Sequence, residues 1–127
     1  MSGANLDLSA SVTKIGRSMI VTLSDNMTDE RIHEISDIII QKAYETGVKG
    51  AVLNFGMVSM IDTYIYKTFE KTSRALTLFG VKVVWVGLSP GVVCAMLDSG
   101  IEPDRAAMST AMTLEQGLEQ LEEEEEK

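Results

Sequence analysis

Asp62 and Thr63 stand side by side in the stretch NFGMVSMIDTYIYKTFEKTS, where an apolar run gives way to a helical pattern. An acid followed by a hydroxyl at a helix start has two uses. Either side chain can accept a bond from an unpaired backbone N–H and cap the helix. The same helix end offers free N–H donors and a partial positive charge, so a phosphate on the Thr63 hydroxyl would fit without unfolding the domain. Phosphorylation adds about −1.5 to −2 charges at neutral pH. One unit pair at 4 Å and an effective dielectric near 20 is worth about 4 kcal/mol, and a few kcal/mol is roughly a hundredfold in affinity. The hydroxyl therefore reads as a cap or as a binding switch, and its residue type alone leaves both open.

Other residues with chemical potential have plainer uses. His33, the single histidine, falls on the polar side of a helix beside Arg31 and Glu34, with no cysteine or second histidine to complete a metal set. Cys94 lies among Val92, Val93, Ala95 and Met96 and is expected to be a small buried hydrophobe. Trp85, inside an apolar run, is expected in the core, and the eight methionines are scattered gap-fillers. Tyr64 and Tyr66 flank Ile65 and cannot both face the core, so at least one belongs to a contact surface. Ser59 precedes the helix without helix-start geometry, and Ser89 before Pro90 reads as an N-cap. Both are weaker phosphorylation candidates than Thr63.

The elements that must position these residues follow from periodicity. Leu6, Leu8, Ala10 and Val12, then Met19, Val21 and Leu23, alternate about Gly16 and predict a hairpin. Thr28, followed by Asp29 and Glu30, opens a helix with Ile32, Ile35, Ile39 and Ala43 on one face and Gly47 as its stop. GAVLNF (50–55) and VKVVWVGL (81–88) read as strands buried on both faces. Between them a second helix carries Ile65, Phe69, Thr72, Leu76 and Phe79 and ends at Gly80. A short helix follows Ser89-Pro90, RAAMST suggests an edge strand, and Thr113 with Gln116 forms a capping box before Leu114, Leu118 and Leu121. Strands alternating with helices after a hairpin predict an α/β fold: a mixed sheet with about four helices packed on it.

Composition bounds the rest. A chain of 127 residues, 45% hydrophobic and 24% charged, predicts one globular domain. One cysteine excludes an intrachain disulfide. No signal peptide or membrane-length apolar run is visible, so a cytoplasmic protein without a membrane partner is expected. Glu122–Glu126 carry five of the negative charges behind the net −8. They read as a solvated helix end or as an acidic interaction tail over 122–127. Without clustered Lys and Arg, nucleic acid is disfavoured as a partner. There is no GxGxxG after a strand, no GxxxxGKS/T and no GxSxG, so neither an enzyme nor a nucleotide-binding module has motif support. No cofactor is expected.

Taken in order, YETGVKGAVLNF, MIDTYI, LFGVKVVWVGLSPGV, DSGI and LEQGLEQL make the chain resemble the STAS domain family (sulfate transporter and anti-sigma factor antagonist) from about Leu6 to Leu121. Within it the likeness is to single-domain stressosome scaffolds of the RsbS type. The resemblance implies one STAS domain over 1–121 and a non-enzymatic, phospho-regulated protein. It implies two kinds of partner: an RsbT-like serine/threonine kinase, held or released according to phosphorylation, and RsbR-like STAS paralogues. A homo-oligomer is also expected. The acceptor position it implies is Thr63, where such scaffolds carry serine, with Asp62 as the orienting group. The implied contact surface comprises Ser59, Asp62, Thr63, Tyr64, Tyr66 and Lys67. Some relatives carry a second acceptor threonine where this chain has Val86. The alternative within the same fold is an anti-anti-sigma factor that binds an anti-sigma kinase directly.

Overall fold

The computed structural model describes residues 10–125. The chain runs β1 (Ala10–Ile15), β2 (Ser18–Ser24), α1 (Asp29–Thr46), β3 (Gly50–Met57), α2 (Thr63–Leu78), β4 (Lys82–Val86), α3 (Pro90–Asp98), β5 (Ser109–Ala111) and α4 (Leu114–Glu125). This is the expected order, with Leu6 and Leu8 of the expected hairpin lying outside the described residues.

The five strands form one mixed sheet in the order β1-β2-β3-β4-β5. β1 pairs antiparallel with β2, and the remaining neighbours are parallel. Because β2 to β5 advance in one direction, successive right-handed crossovers carry α1, α2 and α3 to the same face. That face is the main core. Met19, Val21 and Leu23 of β2, Ala51, Leu53 and Phe55 of β3, and Val83 and Trp85 of β4 meet Ile32, Ile35 and Ile39 of α1, Phe69 and Leu76 of α2, and Val92 and Met96 of α3. The alternate strand residues Ile20, Val52, Val84 and Val86 face the other way, against Leu114, Leu118 and Leu121 of α4. The period-2 pattern of the strands thus supplies two cores, one on each side of the sheet.

The helix signals are realised locally. Thr28 caps α1 by accepting from the Arg31 N–H, and Gly47 closes it at φ 66. Ser89 accepts from the Val92 N–H and Pro90 fills the first turn of α3. Thr113 accepts from the Gln116 N–H at 3.1 Å, but the Gln116 side chain returns to the Met112 N–H rather than to Thr113. The capping box is therefore shifted by one residue. The described glutamates after Leu121 continue α4 to Glu125.

Cys94 corrects one expectation. It is exposed, not buried. The core-facing residues of α3 are Val92 and Met96, four apart, and a residue midway between them is turned roughly 200° away at 3.6 residues per turn. Apolar neighbours in sequence do not share a helix face.

Candidate functional site

Three helices begin at the carboxyl ends of the parallel strands: α1 after β2, α2 after β3 and α3 after β4. This is the edge where open α/β sheets place their sites. Asp62 ends the loop after β3 in extended conformation (φ −87, ψ 178), and its carboxylate accepts from the Ile65 N–H at 2.8 Å. The ladder of α2 starts with the Tyr66 N–H bonding to the Asp62 carbonyl at 2.9 Å. The N–H groups of Thr63 and Tyr64 precede that ladder and have no intrahelical partner.

Asp62 is therefore the cap, and Thr63 occupies the first helical position. Thr63 is exposed, and among the described residues its hydroxyl makes no hydrogen bond. Lys67 lies one turn further along α2 and is also exposed. Thr63, Tyr66, Lys67, Glu70 and residues 99–102 line a cleft of about 320 Å³.

The loop that delivers Asp62 is held at both ends. Ile61 is buried, and the Val58 N–H bonds to the Phe55 carbonyl at 2.9 Å. Ser59 is latched to the neighbouring β2–α1 loop: its N–H donates to Asp25 Oδ1 at 2.8 Å and its hydroxyl to Asp25 Oδ2 at 2.7 Å. These bonds hold the Asp25 carboxyl below its ordinary pKa of 3.8, the hydroxyl bond contributing most. Asp25 is followed by Asn26, a non-glycine residue at φ 68 that turns the chain into α1. Tyr64 reaches the same region, its hydroxyl pointing to the Asp29 carbonyl at 3.4 Å. Around Thr63 the surface carries Met57, 67% exposed, Met60, 63%, and Tyr64, 40%. The exposed hydroxyl thus follows a segment that presents two exposed methionines.

The expected site residues separate on inspection. Ser59, Asp62, Thr63, Tyr64 and Lys67 share this exposed edge. Tyr66 does not: it is 4% exposed, its ring packs on Trp85 at 5.6 Å, and its hydroxyl donates to Glu70 at 2.8 Å while accepting from the Asp104 N–H at 2.8 Å. The expected contact role is corrected to a core role, because Tyr66 falls three residues before Phe69 on the stripe that faces β4. Burial pushes its phenol up to about 12. Ser73 is fully buried and accepts from Trp85 Nε1 at 3.0 Å. Val86 is buried against α4, on the other side of the sheet from α2. Ser89 is committed to capping α3. His33 is exposed on α1, 3.6 Å from Asp37. Among the described residues no group of His, Cys, Asp and Glu is arranged for a metal, and no helix is long and apolar enough to cross a membrane.

Sequence reasoning missed Asp25 and the exposed methionines. The strand residue Leu23 and the cap Thr28 bracket the loop that holds Asp25, but only the pairing of β2 with β3 shows which loop it meets.

Comparison with known proteins gives a consistent result. A family model described as the STAS domain matches residues 9–116. No curated protein matches the chain by sequence. Among solved structures, a serine-to-glutamate variant of RsbS from Moorella thermoacetica superposes with a TM-score of 0.80 at 20% identity, covering 93% of this chain and 98% of its own. A structure from work on the molecular architecture of the stressosome gives 0.73 at 20% identity, over 89% and 96%. The Bacillus cell-fate determinant SpoIIAA in its phosphorylated form gives 0.64 at 17% identity, over 88% and 98%.

Proposed function

The chain belongs to the STAS domain family, and we propose that it is a phospho-regulated scaffold of a stressosome-type complex. In this reading it holds an RsbT-like serine/threonine kinase while Thr63 is unmodified and releases it once Thr63 carries a phosphate. RsbR-like STAS paralogues and further copies of the chain complete the assembly, and the domain performs no catalysis of its own.

One observation carries the reading. Asp62 already caps α2, so the Thr63 hydroxyl is left exposed and without an internal bond. A phosphate there would lie beside the unpaired N–H groups of the first turn, with the Lys67 ammonium one turn on in the favourable acid-before-base order. The fold would tolerate it. A partner packed on Met57, Met60 and Tyr64 would not, because about two negative charges would have to be desolvated in an apolar contact.

The test compares wild type, Thr63→Ala and Thr63→Glu, incubated with the candidate kinase and ATP. Intact mass and size-exclusion chromatography are then read together. One added phosphate on wild type, none on Thr63→Ala, and loss of the kinase by Thr63→Glu establish the switch. Phosphate on Thr63→Ala, with all three proteins binding alike, removes it.

The likeness to SpoIIAA favours a second reading, an anti-anti-sigma factor that binds an anti-sigma kinase directly. A small one-to-one complex on co-purification supports that reading, and a large assembly with STAS paralogues supports the first.

A further inference from the structure

A second cleft, of about 460 Å³, opens between α3, β4, residues 103–108 and β5. Trp85, Leu88, Val93, Met96 and Met108 form its apolar walls. That volume falls in the range of small-molecule sites, roughly 300 to 1,000 Å³, which combine apolar walls with a few polar groups. Arg105 is the one cationic side chain lining it. The adjacent Asp104 does not neutralise that cation, since its carboxylate is taken by Arg74 and by the Ala106 N–H. Among the described residues no ion pair or hydrogen bond engages the Arg105 guanidinium.

A free guanidinium on the wall of an apolar cleft is complementary to an amphipathic anion. Its fork matches a planar carboxylate in two-point contact, while an alkyl or aryl body fills the space beside Val93 and Met108. The geometry points to a binding site for a small apolar carboxylic acid. Occupancy bears on the α2 start through Tyr66, which lines both this cleft and the one beside Thr63. Tyr66 follows Thr63 by three residues, so the two lie on the same side of the first turn. This second half rests on the reading of Thr63 as the switch, whereas the binding site itself does not.

Trp85 is the only tryptophan of the chain, so its emission reports on the cleft directly. Octanoate is titrated into the full-length protein, with 1-octanol as the neutral probe of equal chain length. A saturable change in Trp85 emission with octanoate is expected, at least tenfold weaker in Arg105→Gln, while the octanol response is unchanged by that variant. Val93→Phe, which fills a half-exposed part of the cleft and leaves the buried core intact, should abolish both responses. No saturable response to octanoate in wild type overturns the site. Equal octanoate affinities of wild type and Arg105→Gln overturn the assignment of a carboxylate. In the same titration the backbone amide resonances of Thr63 and Lys67 should shift. Saturable binding with those resonances unmoved overturns the coupling to α2 and leaves the site standing, a result independent of any kinase.

Discussion

At the scale of single residues, the neighbouring side chains Asp62 and Thr63 divide the work. The carboxylate satisfies a backbone donor and the hydroxyl satisfies none. Asp62→Ala should therefore cost about 1 kcal/mol by loss of an N-cap, while Thr63→Ala should cost only a few tenths, as surface substitutions do. Urea unfolding of the two variants decides between them, and a larger loss for Thr63→Ala would return the hydroxyl to a capping role. Ser73 has the opposite character. Its hydroxyl donates to the Phe69 carbonyl and accepts from Trp85 Nε1, both inside the core. Ser73→Ala leaves the indole donor unsatisfied, a loss of roughly 1 to 3 kcal/mol, which the same unfolding curves measure. The Asp25–Ser59 latch predicts a pH dependence. Its carboxyl titrates below the ordinary 3.8, so the stabilisation is complete above that value and is lost as pH falls through the lower folded value. The Ser59 amide resonance should follow this transition and be insensitive to acid in Asp25→Asn.

At the scale of elements, two helices show how packing overrides local preference. Gly117 sits inside α4, where glycine costs roughly 1 kcal/mol relative to alanine in an open helix. A Cβ at this position would lie 2.7 Å from Val86 Cγ1, so the glycine lets α4 settle onto β4. Gly117→Ala should accordingly lower stability by about 1 to 3 kcal/mol through overpacking, and a rise in melting temperature would contradict that account. Gly50 plays the same part lower on the sheet, with Leu121 Cδ1 at 2.8 Å from the added carbon. In α3, the exposure of Cys94 predicts that a thiol reagent modifies one cysteine in the native protein at a rate near that of a free thiol. A reaction that requires denaturant would place the side chain back in the core. The buried bond between Ser36 of α1 and Thr72 of α2, at 2.5 Å, shows polar residues absorbed into an apolar stripe by pairing with each other.

At the scale of the whole molecule, the unbroken order of the parallel strands gathers three helix starts on one edge and puts α4 alone on the opposite face. The start of α2, which carries Thr63, then lies across the sheet from the second core. Phosphorylation of Thr63 should leave the far-ultraviolet circular dichroism unchanged and the melting temperature within a few degrees, while shifting kinase affinity by a hundredfold or more. Loss of cooperative unfolding in the phosphorylated protein would show that the phosphate acts on the fold rather than on a surface.

Much of this was legible in the chain itself. The strands, the helix stops at Gly47 and Gly80, the caps Thr28 and Ser89, and the mixed sheet follow from spacings of two and of three to four and from residues with few conformational alternatives. The STAS landmarks lie along contiguous segments for the same reason. Other features depend on residues far apart in sequence, and no local pattern records them. Asp25 meets Ser59 only because β2 and β3 pair in parallel, Tyr66 turns inward because Trp85 and Asp104 wait for it, and Cys94 faces out because α3 docks through Val92 and Met96. Sequence determines periodicity and end signals, which act over a few residues. Tertiary packing alone decides which side chains meet across the fold, as Ser59 meets Asp25 and Tyr66 meets Asp104, since that depends on which partners the folded chain brings within hydrogen-bonding reach.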